Sequence, residues 1–366
     1  MALNELGPEP ARPMSATATE VHTGPATDPL AWFATTPHTD ERWYWEIPED
    51  GTAWVGMGSA ATISTSGPGR FDEAAREADQ LFGGLRVTGP SDAPLPRLAA
   101  GFAFDDTAQS GPWAPFGDGR LVLPAVQVLR RGGHTWVIRI DGHDRPTPVV
   151  VAPDPAGPVE VDAADWANEV SRSHYRHLVE LALEAIERGE LVKAVPCRSL
   201  RLDRRPDVAR LLATLRSTYP ACATLGVSIG ATSFVAATPE RLVAVTGDRL
   251  RTAALAGSAP RHADPAIDAA LGQGLLTSPK ERSEHAVVVD AIDRSLQRLG
   301  VVDRHPADPT LLRLHGIQHL HTPIDAELPT GIGLFDVVGA LHPTPAVAGH
   351  PGGRSAELRA IHEGME

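Results

Sequence analysis

Apolar residues that alternate with polar ones predict a β-hairpin in the first half of the chain. Val126 and Val128 alternate with polar neighbours, and the alternation returns over Trp136–Ile140. Gly132-Gly133 separates the two runs, and glycine tolerates the positive φ angles that tight hairpin turns require. The pattern is typical of two antiparallel strands joined by a short turn.

Other apolar runs predict further strands. One is Ala99–Asp105, and another is Leu191–Leu200, in which Pro196 is an awkward member because proline has no backbone N–H to donate. A second hairpin is predicted around a turn at Gly247-Asp248. In it, Phe234-Val235 and Leu242–Val245 pair with Leu250–Leu255.

Apolar residues at helical spacing predict two long helices. The first covers about Ser171–Arg188, and the second begins after Ser278 and ends near Gly300. Ser278 is followed by proline at the first helical position and by Glu281 three residues later, which is a helix-start signature. A short helix is predicted from about Arg354. Strands and helices are mixed without strict βαβ alternation, so the sequence predicts an α+β fold.

The length and composition indicate a globular protein with a disordered N-terminal tail. The 366 residues, of which 42% are hydrophobic and 22% charged, can bury one large core or two ordinary ones. Met1–Asp28 is rich in proline, alanine and threonine, which predicts disorder. The Pro- and Asp-rich stretch Asp144–Pro158 predicts a linker or edge loop. We expect an N-terminal portion over 29–165 and a catalytic core over 166–366.

The charge and cysteine content narrow the possible partners and compartments. The net charge of −13 argues against nucleic acid or an anionic membrane as partner, because phosphate binding requires a basic surface. Cys197 and Cys222 are too few for a disulfide framework, so a reducing compartment is expected. No secretory signal and no run of roughly 20 apolar residues is visible. These features predict a soluble, cytoplasmic protein.

Two carboxylates near the start of the second long helix form a candidate metal site. Glu281, Glu284 and His285 stand at i, i+3 and i+4, so they share one face of the helix. Two carboxylates on one face can hold Mg²⁺, which prefers oxygen ligands. The alternative is that the acidic residues are solvated and only stabilise the helix dipole.

Lys193 and Glu240 are candidates for acid–base chemistry. Lys193 lies within an apolar segment, where burial can lower the pKa of its amine and make it a general base. An edge-strand lysine that prevents strand pairing is the alternative. Glu240 follows a strand-like run and is either a general acid or a turn carboxylate.

Other features are weaker signals. Ala256-Gly257-Ser258 can offer backbone N–H groups to an anion, or it can be an ordinary turn. Zinc is conceivable but not favoured, because no cysteine pair accompanies the histidines and their spacing is unspecific. The histidines concerned are His315, His319, His321, His342 and His350.

Five segments in this order resemble the chorismate-utilising enzymes, and in particular the isochorismate synthases. The resemblance runs from about Ala99 to the C-terminus and is strongest from Ser171 onward. The segments are GELVKAVPCRSL (189–200), FVAATPERLVAV (234–245), TAALAGSAPRHADPAIDAALGQGLLTSPKERSEHAVVVDAI (252–292), HLHTPIDAEL (319–328) and LHPTPAVAGHPGGRSAELRAIHEGME (341–366).

The resemblance implies a Mg²⁺-dependent conversion of chorismate to isochorismate. By motif, Lys193 matches the lysine that activates water for attack at C2, and Glu240 matches the acid that protonates the departing C4 hydroxyl. Glu284 matches a Mg²⁺ ligand, and Glu281 matches a supporting carboxylate. The metal would hold the ring carboxylate of the dianionic substrate. The implied fold has large antiparallel sheets stacked as a sandwich and flanked by helices, and the complete enzyme is expected to be a monomer.

The resemblance also implies residues that line a substrate pocket. Gly257 and Ser258 match a substrate-contacting turn, and His319 matches a histidine of the pocket. Ala346, followed by Val347, stands where anthranilate and salicylate synthases usually carry a hydroxyl residue. A small apolar residue at this position fits an enzyme that adds water to chorismate without eliminating pyruvate. The alternative is that Ala346 only fills space in the packing.

Two departures from the family pattern carry expectations. Pro196 and Cys197 interrupt a strand that usually continues to an arginine, here Arg198. After Glu366 the family continues with strands and a helix that supply further metal and substrate ligands, so we expect the domain to be incomplete. The isochorismate formed is expected to feed a menaquinone or a siderophore pathway. The alternatives are a salicylate synthase of the same family or an inactive chorismate-binding-like fragment.

Overall fold

A computed structural model describes residues 14–21, 28–37, 41–106, 109–140, 153–155, 169–200, 202, 206–302 and 304–352. The strands are β1 Ser15–Val21, β2 Arg42–Ile47, β3 Thr52–Met57, β4 Ala61–Thr65, β5 Arg86–Thr88, β6 Ala99–Phe102, β7 Gly119–Leu123, β8 Val126–Arg131, β9 His134–Ile140, β10 Ala223–Ile229, β11 Thr232–Thr238, β12 Ala244–Thr246, β13 Arg249–Pro260, β14 His305–Pro306, β15 Thr310–Arg313 and β16 Ile317–Glu327. The helices are α1 Pro29–Thr35, α2 Arg70–Gly83, α3 Glu169–Glu187, α4 Val208–Thr218, α5 Pro265–Thr277, α6 Pro279–Arg298, α7 Leu334–Leu341 and α8 Pro345–Ala348, with a 3₁₀ helix at Gly111–Phe116.

The chain divides into two compact units that interleave along the sequence. The first unit contains residues 1–155, 208–216 and 223–237, and the second contains residues 156–207, 217–222 and 238–366. No helix among the described residues is both long enough and apolar enough to cross a lipid bilayer.

The first unit is built on an eight-stranded sheet. Its strand order is β11-β10-β2-β3-β8-β9-β1-β5, and neighbours from β10 to β1 run antiparallel, whereas β1 and β5 are parallel. A smaller antiparallel sheet has the order β4-β7-β6. Leu30 and Phe33 of α1 and Leu212 of α4 are fully buried in one core cluster with Val55 and Val128 of the large sheet.

An ionic network is buried within the first unit. Asp28 caps α1 by accepting a hydrogen bond from the Leu30 N–H, and Arg216 Nη1 lies 2.9 Å from Asp28 Oδ2. Arg216 Nη1 is also 3.6 Å from Glu46 Oε2, and Arg130 Nη2 is 2.7 Å from Glu46 Oε1. The Tyr44 hydroxyl donates to Glu46 as well. Each buried carboxylate therefore has a guanidinium partner, which offsets the free energy of removing it from water.

The second unit is built on an antiparallel sheet with the order β12-β13-β16-β14, to which β15 adds alongside β16. Helix α6 packs on β13 through Val288, Ile292 and Leu296, which share a buried cluster with Leu250 and Ile324 of the sheet. Apolar residues at three- and four-residue spacing turn one stripe of α6 towards the sheet. The middle and the last turns of this helix are thereby fixed against the sheet.

Several predicted elements are confirmed. The α+β class is observed, and the hairpin β8–β9 turns at Gly132 and Gly133, whose φ angles are +59° and +83°. Helix α3 agrees with the predicted helix within two residues at the ends. Helix α6 begins after Ser278, whose hydroxyl accepts a hydrogen bond from the Glu281 N–H, as the capping signature predicts.

Three expectations are wrong. Ser15–Val21, within the predicted disordered tail, forms β1, because its backbone pairs with both β9 and β5. The Phe234-Val235 segment lies in β11 of the eight-stranded sheet, whereas β12 and β13 pair in the other sheet. Leu191–Leu200 forms no regular strand: its one described β-bridge joins Lys193 to His350.

Three further predictions fall largely on residues that the structure does not describe. The predicted loop Asp144–Pro158 lies outside the described residues except at 153–155, and the predicted helix from Arg354 lies wholly outside them. The predicted division near Asp165 also falls in an undescribed stretch. Two later segments, 208–216 and 223–237, belong to the first unit.

Candidate active site

The backbone around Lys193 is held from two sides within the second unit. Leu191 is buried against Ala185 of α3. The N–H groups of Val192 and Lys193 donate to the carbonyl oxygen of His350 at 2.9 and 3.2 Å, and the His350 N–H donates to the Lys193 carbonyl at 2.8 Å. Lys193 thus extends from a fixed piece of backbone, although that piece is not part of a sheet.

Lys193 and Glu240 perturb each other's ionisation. Burial lowers the pKa of Lys193, against the opposing negative charges of Glu284, Glu240 and Glu281. Burial raises the pKa of Glu240, against the opposing charge of Lys193. The Glu240 backbone N–H donates to Thr238 Oγ1 at 3.1 Å, which fixes the turn after β11. Desolvation therefore moves the lysine towards its neutral form and the glutamate towards its protonated form.

Glu281 and Glu284 converge at the start of α6. Lys280 Nζ lies 3.5 Å from Glu281 Oε1 and 3.7 Å from Glu284 Oε1, so one cation already reaches both carboxylates. Among the described residues, no three histidine, cysteine or acidic side chains form a metal-binding group. A pair of carboxylates does suit Mg²⁺, which binds proteins through one or two carboxylates and completes its coordination with water or substrate oxygens.

A β-bulge in the strand pair β13–β16 lies beside Glu281. The register shifts between Ala256 and Ser258, and the intervening Gly257 has a φ of +78°. A Cβ atom at Gly257 would lie 3.2 Å from Glu281 Oε2, so glycine both permits the backbone conformation and leaves space for the carboxylate. Beside it, Ser258 Oγ lies 2.8 Å from His319 Nδ1. Burial lowers the pKa of His319, against a hydrogen bond with the Gly257 backbone.

His285 connects α6 to both of these strands. Its Nδ1 lies 3.1 Å from the Ala256 carbonyl oxygen, and its Nε2 lies 2.8 Å from Thr322 Oγ1. Burial lowers the pKa of His285, against the opposing hydrogen bond to Ala256. A neutral imidazole can donate through one nitrogen and accept through the other, which matches these two partners.

Comparison with known proteins identifies the family. The family described as "chorismate binding enzyme" matches residues 9–146 and 150–366. The chain belongs to this family. A salicylate biosynthesis isochorismate synthase of Pseudomonas aeruginosa is 34% identical over 346 residues, which cover 88% of this chain and 70% of that protein. Isochorismate synthase MenF of Bacillus subtilis is 27% identical over 357 residues, which cover 90% of this chain and 75% of that protein.

Solved structures share the fold of this chorismate binding enzyme. The menaquinone-specific isochorismate synthase MenF from Escherichia coli aligns with a TM-score of 0.75 at 24% identity, covering 96% of this chain and 79% of that one. A 2,3-dihydroxybenzoate-specific isochorismate synthase described as putative, DhbC from Bacillus anthracis, aligns with a TM-score of 0.67, covering 92% and 81%. The resemblance that the sequence motifs indicate is therefore confirmed at the level of family and fold.

Most of the predicted site residues of this chorismate binding enzyme lie in the second unit and act on one another. Glu281 occupies the space beside Gly257, Ser258 contacts His319, and Lys193 interacts electrostatically with the predicted acid and metal ligands. Ala346 and Val347 lie in α8, where Ala346 packs against the apolar cluster beneath α6 and Val347 is exposed. Their part in substrate binding stays a prediction, as do the roles of the other residues.

The sequence did not reveal how His285 and Thr322 support this arrangement. Helical spacing predicts that His285 shares a face with Glu281 and Glu284, whereas its buried ring turns to the sheet and bridges two strands. Thr322 belongs to no motif with a predicted role. The available signal was the alternation along β16, where Gln318, Leu320, Thr322 and Ile324 occupy the buried positions.

Proposed function

We propose that the chain is an isochorismate synthase in which Lys193 is the general base and Glu240 the general acid. The observation that carries the proposal is the opposed effect of burial on these two groups, which favours a neutral amine and a protonated carboxyl. Paired titratable groups whose environments favour opposite roles are typical of acid–base catalysis. The identity to named isochorismate synthases supports the choice of reaction.

The proposed reaction moves a hydroxyl group across the ring diene of chorismate. The Lys193 amine takes a proton from water while the water oxygen attacks C2. The double bond shifts, the C4–O bond breaks, and Glu240 gives its proton to the departing hydroxyl, which leaves as water. One water enters and one leaves, so the net reaction is an isomerisation. Proton exchange with solvent then returns Lys193 and Glu240 to their starting forms.

Glu284 and Glu281 would hold the Mg²⁺ ion. Bound there, the metal supplies positive charge that neutralises the carboxylate of the dianionic substrate. Glu281 is the less exposed ligand, with 22% of its side chain accessible against 41% for Glu284. Gly257 leaves the space that Glu281 occupies, while Ser258 and His319 offer polar groups beside it.

The product formed from chorismate tests the proposal. Purified protein, chorismate and Mg²⁺ should yield isochorismate on chromatography, and chelator should stop the reaction until Mg²⁺ is restored. Salicylate with pyruvate would instead identify a salicylate synthase. Unchanged chorismate at high protein concentration would reject the proposed activity for this chain.

Separate variants test the metal ligands. Glu284→Gln should weaken Mg²⁺ binding in titration calorimetry more than Glu281→Gln, because only Glu284 matches the direct ligand. Glu327→Gln, an exposed carboxylate at the end of β16, is the matched control and should leave the affinity unchanged. Equal binding by all three variants would reject this metal site.

A further inference from the structure

His285 occupies a position that links the proposed metal ligands to the sheet. It follows Glu284 directly and stands one helical turn after Glu281, on the first turns of α6. Its side chain is only 2% exposed, whereas the two glutamates remain partly exposed. The imidazole therefore faces the sheet while the neighbouring carboxylates face the site.

The hydrogen bonds of His285 have a defined direction. The Ala256 carbonyl oxygen can only accept, so Nδ1 carries the hydrogen of the 3.1 Å bond. Nε2 is then the acceptor for the Thr322 hydroxyl at 2.8 Å. Ala256 belongs to β13 and Thr322 to β16, so one ring fixes the helix to two adjacent strands.

The strand contact falls where the sheet meets the carboxylates. Ala256 immediately precedes Gly257, and the bulge there places the glycine against Glu281. The bond from His285 to Ala256 therefore determines how far the first turn of α6 lies from the bulge. A displacement of this turn would move both carboxylates together, because they belong to the same rigid helix.

We propose that His285 is a positioning residue that, together with Thr322, fixes Glu281 and Glu284 at the spacing from the Gly257 bulge that a shared divalent cation requires. The inference rests on the proposed metal role of these carboxylates. Ligands must be held within about 0.5 Å of their productive geometry, which makes supporting hydrogen bonds important for metal affinity. His285 acts through the backbone and does not contact the cation.

Thr322 offers a sharper test than His285 because its variants preserve the fold more readily. Thr322→Val removes the hydroxyl and keeps the shape of the side chain, while Thr322→Ser restores the hydroxyl. Thr252→Val is the matched control: Thr252 is buried in the same sheet, but its hydroxyl donates to the Leu242 carbonyl at 2.6 Å and not to α6. His285→Asn removes the ring itself.

The experiment measures Mn²⁺ binding to the full chain without chorismate, from the electron paramagnetic resonance signal of free Mn²⁺. Thr322→Val should raise the dissociation constant about 3- to 10-fold, the range expected for one lost hydrogen bond. His285→Asn, which removes the ring that makes both bonds, should raise it at least as much. Thr322→Ser should remain within about twofold of the wild type. Thr252→Val should lower the free energy of unfolding by a similar amount to Thr322→Val but leave Mn²⁺ affinity unchanged.

The possible failures are distinguishable. If Glu284→Gln weakens Mn²⁺ binding but Thr322→Val does not, the positioning role is overturned and the metal site stands. Equal losses of affinity in Thr322→Val and Thr252→Val would also overturn it, since general destabilisation would then explain both. If the wild type binds no Mn²⁺, or if Glu281→Gln and Glu284→Gln leave binding unchanged, the proposed metal site and the positioning role fall together.

Discussion

In the first unit, buried carboxylates are matched with guanidinium groups at short range. Glu46 has Arg130 at 2.7 Å and Arg216 at 3.6 Å, and Asp28 has Arg216 at 2.9 Å. These groups also cap a helix and accept a tyrosine hydroxyl. Such a network is satisfied within itself and has a structural role.

The candidate site of the second unit uses similar residue types differently. Lys193 and Glu240 make no ion pair within 4.0 Å among the described residues, yet each acts on the ionisation of the other. Opposite charges that interact without contact fit the acid–base roles proposed for this pair. Under that proposal, the distance between opposite charges, more than the residue type, distinguishes the structural ion pairs of this chain from its reactive pair.

Removing one member of the reactive pair should have the largest effect. Lys193→Gln and Glu240→Gln should each lower kcat for isochorismate formation by about 10²- to 10⁴-fold, the usual contribution of a positioned base or acid. Circular dichroism should change little, because neither side chain makes an ion pair within 4.0 Å with any residue that the structure describes. Glu327→Gln, exposed in the same unit, is the control. Near-normal turnover in either site variant would remove that residue from the mechanism.

Breaking the paired network should instead affect stability. Arg216→Met leaves Asp28 without its nearest guanidinium and Glu46 with one partner, so the free energy of unfolding should fall by about 2–4 kcal/mol. Urea denaturation followed by tryptophan fluorescence measures it. The exposed pair Glu20–His134 provides the control: Glu20→Gln should change stability by less than about 1 kcal/mol. Equal losses of stability in Arg216→Met and Glu20→Gln would contradict the distinction between the buried network and the exposed ion pair.

Sequence patterns predicted the elements whose causes are local. Helix α6 was predictable because its Ser278 cap, its first-turn proline and its apolar stripe all lie within one short segment. The β8–β9 hairpin was predictable because two glycines adopt the positive φ angles of the turn. Both cases depend on contacts between near neighbours in sequence.

Long-range contacts account for what the sequence did not reveal. The composition of Ser15–Val21 gives no sign of its partner β9, more than a hundred residues away. Nothing near Phe234 indicates that β11 joins a different sheet from β12. The spacing of Lys193, Glu240 and Glu284 gave no geometric reason to group them, so their grouping depended on the family resemblance. His285 and Thr322 are separated by 37 positions, and the resemblance assigned no role to either.

The pH dependence of turnover should reflect the unpaired state of Lys193 and Glu240. The proposed reaction requires neutral Lys193 and protonated Glu240. We therefore expect kcat/KM to rise with pH up to the Glu240 pKa, to stay level, and to fall above the Lys193 pKa. Burial raises the first pKa above its usual 4.5 and lowers the second below its usual 10.5. The level region should therefore span a narrower pH range than the interval from 4.5 to 10.5. For each pH unit by which the two pKa values approach each other, the fraction of enzyme with neutral Lys193 and protonated Glu240 increases about tenfold.

The variant Glu240→Gln isolates the Lys193 limb of this profile. Its residual rate no longer needs a protonated acid, so it should rise up to the Lys193 pKa and then stay constant. A break at or above pH 10.5 would contradict a base with a lowered pKa. Circular dichroism at each pH separates titration from unfolding.

The smallest expected effect concerns Lys280, whose ion pairs resemble neither those of the buried network nor the reactive pair. Its ammonium reaches Glu281 and Glu284, but 77% of its side chain is exposed, so each pair contributes little stability.

The ammonium and a metal ion would compete for the same oxygens. Lys280→Gln should therefore tighten Mg²⁺ binding about two- to threefold in titration calorimetry, while Lys280→Arg, which keeps the charge, should not. The difference should shrink as salt is added, because salt screens exposed charges. Weaker Mg²⁺ binding in Lys280→Gln would instead mean that Lys280 helps to hold the two carboxylates together. Lys280 would then be a positioning residue, as is proposed for His285.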